Sequence, residues 1–107
     1  MKSSKLIFAV FLLVSMTASA AHFNKKGEIS RLAIWQGHSG ILVIHQHMIN
    51  PESCRRTDNY LLKSTHPFYK EFYALLLSAH MANHPVSLGV QGCHEGFPVI
   101  FHVYSNK

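Results

Sequence analysis

Between Glu28 and Gln36 the apolar residues Ile29, Leu32, Ile34 and Trp35 predict a strand. Gly37-His38-Ser39-Gly40 follows, and its two glycines, free to take positive φ, mark a turn. Ile41 to Met48 predicts a second strand. Ile41, Val43, His45 and His47 fall on one of its faces, and Leu42, Ile44, Gln46 and Met48 on the other. The two strands read as a hairpin. Asn50-Pro51-Glu52-Ser53 breaks the second strand and opens a loop, and Asn59 to Lys63 is a short third strand. The period then changes. Phe68, Phe72, Leu75, Leu76 and Ala79 recur at helical spacing, predicting a helix over Phe68–Ala82 that starts after Pro67 and stops at Asn83-His84-Pro85. Val86 to Val90 and Phe97 to Tyr104 predict two further strands, separated by a turn over Gln91–Gly96. Ala21 to Gly27, polar and without period, reads as a loose lead-in.

The predicted order is three strands, a helix and two strands, with no internal repeat or linker. That order fits a small α+β, mainly β domain: a five-stranded OB-like barrel with its helix between strands three and four. The competing architecture is an open α+β sheet with the helix on one face.

Residues 1–20 have the layout of a cleavable secretory signal. Lys2 and Lys5 are followed by the apolar run Leu6 to Val14 and by Ala18-Ser19-Ala20, which predicts cleavage after Ala20. The run is short for a membrane span and no later stretch is longer, so no span is expected after cleavage. Residues 21–107, about 87 of them, then form one small domain, secreted or periplasmic. A domain this small needs a staple or a partner. Cys54 and Cys93 are the only two cysteines, and in an exported chain they are expected to pair. The closed loop is long enough for a contribution of about 4 kcal/mol. Losing Lys2 and Lys5 lowers the net charge from +5 to a mild, scattered +3. No basic run points to nucleic acid.

From Asn50 to Val103 the chain resembles a group of short exported bacterial proteins. The likeness is carried by Asn50-Pro51 with Cys54, by Ala74-Leu75-Leu76-Leu77-Ser78-Ala79, by His84-Pro85-Val86, and by Gly92-Cys93 with Pro98-Val99-Ile100. The helix-then-strand pattern is similar to the binding subunits of pentameric bacterial toxins of the subtilase-cytotoxin and pertussis type. That resemblance implies a small barrel, assembly into a ring and recognition of host glycans. No glycan-contacting residue transfers to a position of this sequence.

Histidine is over-represented, with nine in the chain. His45 and His47, two apart on one predicted strand face, have a spacing that can hold Zn²⁺ or Cu²⁺. His80 and His84, four apart at the helix end, have another, and His94-Glu95 lies beside Cys93. No pair carries an adjacent residue that completes a site, and partly buried or surface imidazoles are the competing reading. Catalytic signatures are missing. Ser39 lacks the Gly-x-Ser-x-Gly pattern, the five acids show no paired spacing, and there is no phosphate loop or dinucleotide fingerprint. The helix carries a second stripe of Tyr69, Tyr73, Leu77 and His80, which is either an interface between copies or part of a wide core-facing surface. Trp35 and the tyrosines are candidates for stacking on sugars. The expectation is a non-enzymatic exported binding protein, a glycan-binding homo-oligomer. The alternatives are a His-rich periplasmic metal binder and a small exported inhibitor acting by protein contact.

Overall fold

A computed structural model describes residues 21–106. The predicted leader, residues 1–20, lies outside the described residues. In chain order the elements are β1 (His22–Phe23), β2 (Ile29–Ile34), β3 (Gly40–His45), β4 (Tyr60–Lys63), α1 (Tyr69–Ala82), β5 (Ser87–His94) and β6 (Phe97–Tyr104). The strands form one sheet in the order β1-β5-β6-β4-β3-β2. Every neighbouring pair is antiparallel except β4 and β6, which run parallel with Leu61 beside Val99. The parallel pair needs a crossover, and α1 with β5 supplies it.

The central strands have apolar residues on both faces because both faces are covered. On one face Ile41, Val43, Tyr60, Leu62, Leu88 and Ile100 pack with Leu76 and Ala79 of α1. On the other Leu42, Leu61 and Phe97 form a smaller cluster. Leu76 is completely buried, a burial that stabilises by roughly 2 kcal/mol. The helix stops at Asn83, whose left-handed backbone (φ 53°) lets the His84 N–H reach back to the Ala79 carbonyl at 2.9 Å. Asparagine tolerates this conformation, and Pro85 prevents a further turn.

The α+β class stands, and two expectations are corrected. The described residues form six strands, not five: His22 and Phe23 pair with Val90 and Gly89 as an edge strand. A two-residue strand has no period to reveal it. The sheet also does not close into a barrel, because its edges β1 and β2 are not paired to each other. Residues 24–28 cross between those edges as a strap. Gly27 exchanges backbone bonds with Val86 at 3.0 and 2.8 Å, and the Glu28 carbonyl accepts from Gln46 N–H at 2.9 Å.

Two boundaries also move. β3 ends at His45, three residues before the predicted Met48. β5 runs through Gln91 to His94, residues expected in a turn. The β5–β6 turn is reduced to Glu95 and Gly96, at φ 54° and 86°, the left-handed pair that a tight two-residue hairpin requires. Cys54 and Cys93 form the expected disulfide, with Cα atoms 5.6 Å apart and the two residues 39 positions apart in sequence.

Candidate functional site

The β5–β6 hairpin is irregular where it borders α1. Gly89 faces His102 and Val90 faces Ile100, so Phe101 is an extra residue on β6. Val90 faces Ile100 and Cys93 faces Pro98, so Gln91 and Gly92 together stand against Val99. Gly92 has φ 77°, a backbone conformation that glycine adopts without strain. Bulges re-aim side chains and bend the strand that carries them. Here they turn Phe101 and Gln91 toward the start of α1.

The result is a groove between the hairpin and the 63–68 segment. It consists of two adjoining hollows of about 410 and 510 Å³ that share His66, Pro67, Gln91 and Phe101. These sizes fall within roughly 300–1,000 Å³, the range of small-ligand sites. Its wall is aromatic. The His66 ring lies 4.5 Å from Phe72, 6.0 Å from Phe101 and 6.2 Å from Phe68, centroid to centroid. Lys63, Thr65 and His94 add polar groups at the first hollow. His66 Nδ1 accepts the Phe68 backbone N–H at 3.0 Å. The ring proton of neutral His66 is therefore on Nε2. That bond also covers a donor at the helix start, where Phe68 has no cap of its own. Phe68 is among the exposed large apolar residues, although it adjoins the helix. Sequence periodicity does not reveal this groove, since it depends on two bulges.

Of the residues singled out from sequence, Cys93 and His94 border the groove, and the others lie elsewhere. His45, the last residue of β3, is buried, at 2% exposure, and is bonded to the strap. Its Nδ1 accepts from Asn24 Nδ2 (3.0 Å) and from the His47 backbone N–H (2.9 Å), while its Nε2 donates to the Val86 carbonyl (2.8 Å). Both ring nitrogens are thus occupied by protein partners and the tautomer is fixed. A metal at His45 would have to displace one of them. The His47 ring lies 6.1 Å away, tilted by 51°. The chain turns after His45 rather than running on as a strand, so the shared face expected for the pair does not form. Burial pushes the His45 pKa below its ordinary value, and the nearby His47 adds to that shift. Among the described residues no three His, Cys, Asp or Glu side chains gather to hold a metal ion.

Asn24 completes the seam. Its Nδ2 also donates to the His47 carbonyl at 2.8 Å, and its Oδ1 accepts the Leu88 N–H at 2.8 Å. Tyr60, buried beneath, accepts the Ile49 N–H at 2.7 Å, and burial raises its pKa.

The second helix stripe is largely used by the protein's own sheet. Tyr69 and Tyr73 pack against the main core, and His80 Nδ1 donates to the Ile29 carbonyl at 3.0 Å. Leu77, at 38% exposure, remains outside with Met81 at 74%. His38 and Ser39 meet Glu95 at the hairpin tips. His38 Nδ1 donates to Glu95 at 3.0 Å, the Ser39 N–H bonds the same carboxylate at 3.2 Å, and the His38 bond holds the carboxyl below the usual range. His94 Nε2 stands 4.0 Å from Glu95. Trp35 is exposed beneath the Arg31 guanidinium, which lies 5.5 Å from the ring centroid.

Against known protein families, curated proteins and solved structures, the chain has no match.

Proposed function

We propose that the protein is a non-enzymatic carbohydrate-binding protein that acts outside the cytoplasm, with the bulged groove as its binding site. The observation that carries this reading is the placement of Phe101 opposite His66 and Phe72, with Lys63, Thr65 and His94 at the rim. A pyranose ring has an apolar C–H face and a circumference of hydroxyls. An aromatic wall with polar groups at its edge matches both. The Cys54–Cys93 disulfide supports an oxidising compartment, as does the layout of residues 1–20. The resemblance to toxin binding subunits points to the same ligand class. Metal does not enter this reading, because both ring nitrogens of His45 are bonded to protein groups.

The test is a glycan array followed by titration of the strongest hit. Phe101→Ala is expected to weaken binding roughly tenfold or more, the loss of about 1.4 kcal/mol of stacking. Its melting temperature should stay close to the parent's, since Phe101 lies outside the main core. Retention of full affinity by a folded Phe101→Ala variant would reject the groove as the site.

Assembly is the second element of the proposal. Linking several weak sites in one particle multiplies affinity for a multivalent surface. With Tyr69, Tyr73 and His80 engaged internally, the helix surface left for a neighbouring copy is Leu77 with Met81. Light scattering should give a multimeric mass for the parent, and Leu77→Glu with Met81→Glu should give a folded monomer. A parent that stays monomeric at high micromolar concentration would end the ring proposal and leave the groove untouched.

A further inference from the structure

We infer that the groove is one end of a longer binding track, and that its ligand is a chain of sugars rather than a single one; this rests on the carbohydrate reading of the groove. The rest of the track is an aromatic shelf on the opposite sheet face from α1. Phe23 of β1 lies over Gly89 of β5 and reaches toward β6. There its ring meets His102 at 5.8 Å with an interplanar angle of 27°, and Tyr104 at 5.1 Å with an angle of 24°. The shelf depends on a glycine. A Cβ on Gly89 would stand 2.5 Å from Phe23 Cε1 and 3.1 Å from His102 Cβ, too close for the ring to lie there.

Two features make the shelf a continuation of the groove. His102 belongs to both, since it lines the second hollow with Phe68 and Phe101 and also flanks Phe23. The extra residue Phe101 is the reason. The bulge sends it into the groove while its neighbour His102 stays on the shelf side. A ligand leaving the groove past Phe101 therefore meets His102 next, and then Phe23 and Tyr104.

The chemistry of the shelf favours sugar. Phe23 and Tyr104 are 45% and 50% exposed, so about half of each residue is open to solvent. The polar atoms, the His102 ring nitrogens and the Tyr104 hydroxyl, sit at the ring edges. This repeats the groove's combination of apolar face and hydrogen-bonding rim.

The experiment uses arrayed glycans of one to six sugar units, with titration of each hit against shorter members of its own series. A single-stranded oligothymidylate serves as a competing stacking ligand. The parent should bind longer members roughly tenfold or more tightly than their single sugars, the equivalent of about 1.4 kcal/mol from an added stacking contact. Phe23→Ala should remove that gain and leave affinity for the single sugar unchanged. Tyr104→Ser, which leaves β1 intact, should reduce the gain independently of any loosening of the strand, and melting by circular dichroism verifies that both variants fold. Affinity that does not depend on length, a length gain that survives in both variants, or tighter binding of the oligothymidylate than of any sugar would overturn the track. Loss of the length gain in either folded variant supports it. No binding of any glycan by the parent would instead reject the groove reading, and the track with it.

Discussion

Replacing Cys54 or Cys93 by serine will lower the free energy of unfolding by about 2–5 kcal/mol. For a small domain this is a large share of a total that is rarely above about 15 kcal/mol. The disulfide joins positions 39 apart in sequence, so its removal frees a long loop in the unfolded chain. It also acts on the folded side. The 50–56 loop is held to the β5–β6 hairpin by Glu52 Oε2 accepting the Gly92 N–H at 2.8 Å and by the Arg56 N–H donating to Gly96 at 2.7 Å. Asn50 shapes the loop by bonding the backbone of Cys54 in both directions at 2.8 Å. Without the cross-link these bonds alone must keep Gly92 in its bulge, and Gly92 and Cys93 line the groove. Urea unfolding of parent and variants, with and without reductant, measures the effect. A change below about 1 kcal/mol would show that the loop is anchored by its hydrogen bonds instead.

Asn24→Ala is expected to cost on the order of 3 kcal/mol, because it strands the buried Leu88 N–H and removes a donor from His45 Nδ1. The same seam sets an acid limit. Neutral His45 accepts at Nδ1 and donates at Nε2, and protonation would turn the acceptor into a donor facing two N–H groups. Its folded pKa lies below the 6.5 of an ordinary histidine. The unfolded chain therefore takes up the proton first as pH falls. The contribution of His45 is complete above about 6.5 and is lost progressively below it, down to the folded pKa, at up to about 1.4 kcal/mol per pH unit. His45→Gln should be less stable at pH 8 and should lack this part of the acid slope. Urea midpoints from pH 8 to pH 5 separate the two effects. An unchanged slope in the variant would place the acid sensitivity elsewhere.

The helix was legible because Phe72, Leu76 and Ala79 repeat at its period, and its boundary differs from the sequence expectation by one residue. The β2–β3 hairpin was legible from its glycine-bounded turn, and the disulfide from cysteine number alone. What sequence pattern could not provide was any feature set by one side chain turning inward. Alternation extends β3 to Met48, yet His45 bonds Asn24 and Val86 and ends the strand. The same extension put His45 and His47 on one strand face, whereas the strand ends at His45. The second helix stripe allowed either an interface or a wide core-facing surface, and with β2 packed alongside, Tyr69, Tyr73 and His80 widen the face turned to the sheet. The groove had no signature at all. A bulge breaks the period of two that makes a strand recognisable, so the Gln91-Gly92 segment read as a turn.

The strap imposes an order on the making of the molecule. Asn24 precedes β2, while its partner Leu88, 64 positions later, lies in β5 and is made well after it. The two hairpins are local and are expected to form early, whereas contacts so distant in sequence form slowly. A chain emerging amino end first would hold an uncommitted His22–Phe23 segment until β5 arrives. Pulsed hydrogen exchange during refolding should find the Leu88 amide protected later than those of the β2–β3 ladder. Until then the Phe23 ring has no Gly89 to lie upon, and the backbone of His22–Phe23 stays unpaired.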